Sequence, residues 1–217
     1  MKELISKELR LAASALSYIF IAGALLTFVP GYPILLGAFF TTLGIFYSFQ
    51  TVRENNDIVY SLLLPVAKAD VVRSKFAFCI TVELTSFTIM TVITLIRMLL
   101  MSGSPVYTAN KLMCANLVFL GFALLIFGLF NICFVRGFFK TAYYFAKPFI
   151  AYCAAVLVVI TAGEALWHFP GLEALNSLGF EHIGLQAAVL AAGCVAFIAL
   201  TAAAVNASVR SFEMIDL

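Results

Sequence analysis

Long apolar runs alternate with short polar links along the whole chain. The runs that are predicted to cross a bilayer lie at about residues 11–29, 34–52, 74–101, 111–135, 148–163 and 184–205. A membrane-crossing helix needs roughly 20 mostly apolar residues, and the polar links are too short to form a soluble domain. The pattern therefore predicts an all-α polytopic membrane protein with six transmembrane helices in a single domain, residues 1–217.

The composition favours a bilayer over water as the solvent of this chain. Its 217 residues are 64% hydrophobic and only 11% charged, whereas a soluble domain carries about a quarter charged residues. The five cysteines all fall inside apolar runs without C-x-x-C spacing, which predicts free buried thiols. His168 and His182 lack tight ligand spacing with neighbouring acids, so no metal site is expected.

The distribution of Lys and Arg predicts the orientation in the membrane. With the N-terminus in the cytoplasm, only Arg97 and Lys111 of the 13 Lys and Arg residues lie outside. Both termini are therefore predicted to be cytoplasmic, and residues 164–183 form an outer re-entrant or surface segment. Residues 1–10 place apolar side chains on one side and charges around the rest, which predicts an amphipathic helix on the membrane surface or an ordinary polar flank.

The longest polar link covers residues 53–73, RENNDIVYSLLLPVAKADVVR. Asp57 is a predicted N-cap for a short helix that ends at Pro65. Water gives no reason to place three successive leucines in such a link. They either pack on the membrane surface or dock into a groove of a partner protein. The leucines are Leu62, Leu63 and Leu64, and the charges that would surround them are Arg53, Glu54, Asp57 and Lys68.

This link resembles the first cytoplasmic loop of ABC-2-type transporter permeases. In that family a glutamate after the second span precedes a small-Leu-Leu-x-Leu-Pro-Val element, and a basic, apolar segment leads into the third span. The overall layout is similar too. The resemblance implies a coupling helix that contacts an ATP-binding subunit, and the matching positions here are Arg53, Glu54, Asp57, Tyr60, Leu62, Leu63, Leu64, Pro65 and Lys68.

One segment departs from the family pattern. The family often has glycine between the glutamate and the leucines, where this chain has Asn55-Asn56-Asp57. The departure leaves the local path of the backbone open.

The resemblance also implies how the work is divided between subunits. The chain has no G-x-x-x-x-G-K-[ST] phosphate-binding loop, so it is expected to be neither an enzyme nor a cofactor protein, with ATP and Mg held by a partner ABC ATPase. A second permease copy, identical or related, and membrane lipids are the other expected partners, and nucleic acid is not expected. The implied function is export of a peptide, lipid or drug-like amphipathic substrate.

Glu83 and Thr85 are the candidates for a polar site inside the membrane. A carboxylate near the middle of a bilayer costs about 2.5–3.5 kcal/mol on insertion scales, so it usually faces the bundle or an aqueous cavity. Glu83 is predicted to line a cavity for a cationic or polar substrate or to form a structural pair across a subunit interface. Alternatively, the third helix begins in the cytoplasm and places Glu83 nearer the headgroups.

Two other functional classes remain as alternatives. A substrate-capturing membrane subunit of a vitamin-type importer also has six spans, but it meets its partner through A-x-x-x-A spacing in the first span, where this chain has no pair of alanines four apart. An intramembrane protease needs a histidine inside the membrane or an H-E-x-x-H motif, and neither is present.

Overall fold

The computed structural model describes residues 2–109, 112–141 and 144–215, and these residues form helices and connecting turns without strands. The predicted all-α class is confirmed. Two 3₁₀ turns, Leu166–His168 and Glu173–Asn176, lie in the link before the last helix. The helices are α1 (Lys2–Ala12), α2 (Ala15–Phe28), α3 (Leu36–Glu54), α4 (Asp57–Leu62), α5 (Lys68–Leu100), α6 (Pro105–Thr108), α7 (Leu117–Lys140), α8 (Ala146–Glu164) and α9 (Ile183–Glu213).

Four of these helices, α5, α7, α8 and α9, are long and apolar enough to cross a membrane. The α1–α2 pair, bent by 91° at residues 13–14, makes a fifth candidate span if both parts are counted together. Helix α3 is not among the candidates, and its Thr41, Thr42 and Ser48 side chains are buried within the protein. A helix surrounded by other helices can carry polar side chains because they find partners there. The chain is a multi-pass membrane protein.

Gly31, with a φ of +72°, forms the turn between Pro30 and Pro33 that brings α3 back along α2.

Hydroxyl side chains form hydrogen bonds that hold α3 against its neighbours. Interhelical hydrogen bonds of this kind are worth about 1 kcal/mol in a membrane. The oxygen pairs are Ser17 Oγ with Ser48 Oγ at 2.5 Å, Thr41 Oγ1 with Ser86 Oγ at 2.7 Å, and Thr42 Oγ1 with the Tyr152 hydroxyl at 2.6 Å.

Helices α7 and α9 cross at a contact between two glycines. A Cβ atom on Gly193 of α9 would lie 2.5 Å from the carbonyl oxygen of Gly121 on α7. A Cβ atom on Gly121 would in turn lie 2.8 Å from the carbonyl oxygen of Val189. Small residues allow this close approach of two backbones. The contact fixes the position of α9 on the bundle.

Replacing Gly193 by alanine is therefore expected to destabilise the protein by about 1–3 kcal/mol, because the backbones must separate. The same change at Gly184 on the same helix meets no atom within 4 Å. It should be neutral or stabilising by up to about 1 kcal/mol, since alanine favours helix more than glycine does. Thermal unfolding of both variants in detergent measures the difference, and equal midpoints would contradict the contact.

Candidate functional site

The short helix α4 lies between α3 and α5, within the link that resembles a coupling loop. Its N-cap residue is Asn56, whose φ of 51° places it in the left-handed region, and no side chain caps the helix. The prediction that Asp57 is the N-cap is therefore wrong, because Asp57 is the first helical residue and its carboxylate turns elsewhere. Asparagine adopts the left-handed conformation more readily than most residues other than glycine, so Asn56 makes the turn without glycine.

Helix α4 and the two residues that follow it present an apolar face to their surroundings. We call the residues Val59, Tyr60, Leu63 and Leu64 the loop face; they are 42%, 66%, 77% and 53% exposed. Leu62 is partly buried and packs against the core of the bundle. Only two of the three predicted docking leucines therefore belong to the loop face.

The opposite side of α4 is fastened by charged side chains. Lys7 Nζ of α1 lies 2.7 Å from a carboxylate oxygen of Asp57 and 2.7 Å from Ser61 Oγ, both on α4. Lys75 Nζ of α5 lies 3.1 Å from Asp57 Oδ2 and also donates to the carboxylate of Glu8 on α1. We call Lys7, Glu8, Asp57 and Lys75 the ion cluster.

The ion cluster is a charge-balanced network in which Lys75 and Glu8 are buried and Asp57 and Lys7 are partly buried. The side chains of Lys75 and Glu8 are each 2% exposed, and that of Asp57 is 18% exposed. Lys7 also pairs with Glu8 at 3.1 Å, so each positive charge contacts both negative ones. Charges at this depth are stable only when paired and hydrogen-bonded, and removing one member leaves an uncompensated buried charge. The cluster therefore couples α1, α4 and α5 to one another.

The other charged residues of the link make separate contacts. The Arg53 guanidinium carbon lies 4.7 Å from the centre of the Phe145 ring, and Lys68 Nζ donates to the carbonyl oxygen of Ile215 at 2.7 Å. Glu54 and Pro65 are exposed. Around the loop face, Asp57 is thus turned inward, while the base Arg53 and the acid Glu54 remain at the surface.

Asp57 gives the ion cluster a dependence on pH. Burial would raise the pKa of Asp57, but the charge of Lys75 and the hydrogen bond from Lys7 outweigh it and lower that pKa. The cluster therefore stabilises the fold above the usual aspartate pKa of about 3.9, and this contribution is lost as the pH falls through the lower folded value.

In a titration from pH 6 to about pH 3, amide exchange in α1, expressed relative to the intrinsic exchange rate at each pH, should rise as α1 loosens from α4 and α5. Asp57→Asn removes the titrating group, so its exchange should be faster at pH 6 and should change less with pH than that of the wild type. An identical pH profile in both proteins would contradict the role of Asp57.

Glu83 lies inside the bundle. Its side chain is fully buried, and Oε2 accepts a hydrogen bond from Asn131 Nδ2 of α7 at 3.0 Å. The same Asn131 nitrogen lies 3.1 Å from Thr201 Oγ1 of α9. Glu83 Oε1 and Asn131 Oδ1 have no partner among the described residues. This triad of Glu83, Asn131 and Thr201 joins three helices, α5, α7 and α9, within the apolar part of the bundle.

Thr85 lies on a different face of α5 from Glu83. Its side chain is exposed on the outside of the bundle, and its hydroxyl donates to the carbonyl oxygen of Thr81 in the preceding turn at 2.7 Å. Thr81 and Thr88 make the same kind of bond on the same outer side. The structure therefore does not bring the two candidates for an intramembrane polar site together.

The acid Glu164 at the end of α8 has a structural role. Its Oε1 accepts from the amide of Leu35 at 3.3 Å, and Oε2 accepts from the amide of Met113 at 3.0 Å. Leu35 precedes α3, so the carboxylate lies at the positive end of that helix. The described residues contain no group of His, Cys, Asp and Glu that could hold a metal ion.

Sequence reasoning missed Lys7, Glu8, Lys75 and Asn131 as members of these two networks. The signal for Lys75 was present, because it lies among apolar residues that form the buried face of α5, from Val71 to Val82. A lone charge on a buried helical face needs a partner. No comparable signal identifies that partner as Glu8, which lies 67 residues away.

One comparison with known proteins is informative. A model of the ABC-2 family transporter proteins matches residues 3–213, nearly the whole chain. No curated protein and no solved structure matches significantly. The match agrees with the resemblance of the 53–73 link and lends no support to the vitamin-type importer. The chain belongs to the ABC-2 family of transporter proteins.

Proposed function

We propose that this chain is the permease subunit of an ATP-binding-cassette exporter, and that a separate ATPase drives it through the 53–73 link. Membership of the ABC-2 family supports a membrane transport component that works with an ABC ATPase. The loop face is the observation that carries the proposal. An apolar surface on a short helix between charged segments fits a hydrophobic groove on a partner.

The loop face has the properties of a preorganised docking element. Tyr60 and Leu63 are its two most exposed members, at 66% and 77%, and a few central aromatic and apolar side chains commonly carry most of the binding energy of an interface. The ion cluster holds the other side of α4, so little conformational entropy is lost when the face is buried. Arg53 and Glu54 would lie at the polar rim.

Movement of α4 would pass into the bundle through α5. The ion cluster ties the loop end of α5 to α1 and α4, and Glu83 ties its middle to α7 and α9 through Asn131. A force on the loop face would therefore tilt α5 and change how these helices pack. In this proposal Glu83 transmits motion between helices and Thr85 faces lipid or a second permease copy.

The topology that accompanies this proposal has six spans and cytoplasmic termini. Helix α3 would be a span enclosed by its neighbours, and the 91° bend would let α1 lie along the membrane surface before α2 enters it.

Two permease copies would assemble with the ATPase, and Arg136, Lys140 and Lys147 would contact anionic lipid headgroups. The substrate would be an amphipathic peptide, lipid or drug-like molecule.

Co-purification tests the proposal directly. An affinity-tagged chain, extracted from its native membrane in mild detergent, is expected to retain an ABC ATPase that is recognised by its phosphate-binding motif in mass spectrometry. The preparation should also hydrolyse ATP. Recovery of the chain alone after gentle chemical crosslinking in the membrane would count against a separate ATPase as its driver.

The orientation is tested by cysteine labelling. Single cysteines replace Leu63, on the loop face, and Gly103, in the exposed link after α5, in a background where the native cysteines are alanine. A membrane-impermeant maleimide should label position 103 in intact cells and position 63 only after the membrane is opened. The reverse pattern would contradict cytoplasmic termini.

A further inference from the structure

Arg97 is a buried cation at the end of α5 that lies away from the loop. It lies about 40 Å along the helix from Lys68, at 1.5 Å per residue, and it is 1% exposed. Its Nη1 donates to the carbonyl oxygen of Thr27 on α2 at 2.6 Å, and its guanidinium carbon lies 4.5 Å from the centre of the Tyr107 ring. These two contacts fix the plane of the guanidinium group.

The remaining edge of this guanidinium group has no protein partner. Arg97 Nε and Nη2 make no hydrogen bond in the described part of the chain, and the buried hydroxyls of Thr27 and Thr94 make none either. The residues that carry these unpartnered atoms are neighbours, because the carbonyl oxygen of Thr27 accepts from Arg97 and Thr94 precedes Arg97 by three residues on α5.

The described residues also provide no counter-charge. None of their carboxylates lies within 4.0 Å of Arg97, since no ion pair to it is found. Glu164 is an acid in the same part of the bundle, but both of its oxygens accept backbone amides of Leu35 and Met113. A buried cation without a counter-charge is costly in a membrane protein. Water alone would supply hydrogen bonds but no charge.

The unpartnered edge of the Arg97 guanidinium group matches the shape of an oxoanion. Nε–H and one Nη2–H project in parallel from the same edge of a guanidinium group, and this pair binds two oxygens of a carboxylate or phosphate in a bidentate manner. The hydroxyls of Thr27 and Thr94 can donate to further oxygens. We propose that Arg97, Thr94 and Thr27 form a binding site for an oxoanion, a phosphate or carboxylate group, at the end of the bundle opposite to the loop face.

Thermal unfolding of the purified full chain tests this site with two probes. In neutral detergent, inorganic phosphate should raise the unfolding midpoint by about 5 °C relative to chloride at equal ionic strength, if it saturates the site. In nanodiscs, phosphatidylglycerol should raise it relative to phosphatidylcholine if the oxoanion is a lipid headgroup. A response to either probe supports the site and identifies the source, and a response to neither overturns it.

Three variants separate this site from general effects of charge. Arg97→Gln should lose the response, whereas Arg210→Gln, at an exposed position of α9, should keep it.

Thr94→Val keeps the side-chain shape and removes one hydroxyl, so it should weaken the response while the protein still folds. If the region is dry and binds nothing, Thr94→Val should instead be more stable than the wild type and unresponsive, because an unpaired buried hydroxyl has been removed. That result, or a loss of response in Arg210→Gln, would overturn the proposal. Since the probes require no ATPase, failure here leaves the proposed drive through the loop untouched.

Discussion

Lys75→Met is expected to destabilise the folded protein by about 3–5 kcal/mol, the range for removal of one partner of a buried ion network. Lys75 contacts both acids of the ion cluster, Glu8 and Asp57, and its side chain is only 2% exposed. Methionine fills a similar volume, so the loss comes from the carboxylates left in a buried site without one of their two cations. Thermal or denaturant unfolding in detergent measures the change.

Arg73 provides a matched control on the same helix. It pairs with Asp70 at 3.5 Å, but its side chain is 55% exposed, so Arg73→Met should cost less than about 1 kcal/mol. The double variant Glu8→Met with Lys75→Met should be more stable than Lys75→Met alone, because one buried acid leaves together with its cation. Equal costs at positions 73 and 75 would show that the ion cluster contributes no special stability.

Replacing Tyr60, Leu63 and Leu64 together by serine is expected to weaken ATPase binding about a thousandfold. Such a loss equals about 4 kcal/mol, which two or three buried interface side chains commonly provide. The stability of the permease itself should change little, since these side chains are exposed and make few contacts in the free chain. Titration of the purified ATPase onto the permease in nanodiscs measures the affinity.

Two comparisons make the loop-face result specific. Leu99→Ser with Leu100→Ser alters side chains that are 63% and 79% exposed at the other end of α5, and ATPase affinity should not change. Leu62→Ser should lower the stability of the permease more than its affinity for the ATPase, because Leu62 packs against the core. Wild-type affinity in the triple variant would show that the ATPase does not bind through the loop face.

The class of the protein and the site of its candidate coupling helix follow from the sequence because they depend on local pattern. Long apolar runs indicate membrane-spanning helices whatever the tertiary packing. The family's leucine-proline element occurs in this sequence only in the 53–73 link. The exposure of Leu63 and the partial burial of Leu62 do not follow, since both are leucines next to each other at the C-terminal end of a helix of fewer than two turns.

The partners of charged residues depend on contacts between distant parts of the chain. Asp57 satisfies the local rules for an N-cap, but two lysines, Lys7 and Lys75, offer its carboxylate a stronger interaction than a backbone amide does. The ion pairs with these distant lysines therefore outweigh the local preference of Asp57 for an N-cap hydrogen bond. The sequence predicted a charged rim that includes Asp57, and the structure turns this residue inward.

The face of α5 that carries Glu83 could not be identified from the sequence either. Apolar side chains project from every side of this helix, so no hydrophobic stripe distinguishes its buried face from its lipid-facing side. Thr85 supplied a misleading signal of polarity, because its hydroxyl bonds to its own helix and can face outward. The polar contact of Glu83 becomes visible only when Asn131 and Thr201 are placed beside it.

The central claim, that an ATPase contacts the loop face, is tested most directly by site-specific photocrosslinking in native membranes. A photoreactive phenylalanine analogue at position 63 should crosslink to the ABC ATPase. The same analogue at position 99, where Leu99 is 63% exposed at the opposite end of α5, should crosslink to lipid or to another membrane chain. An ATPase adduct at position 99 with none at position 63 would contradict the account.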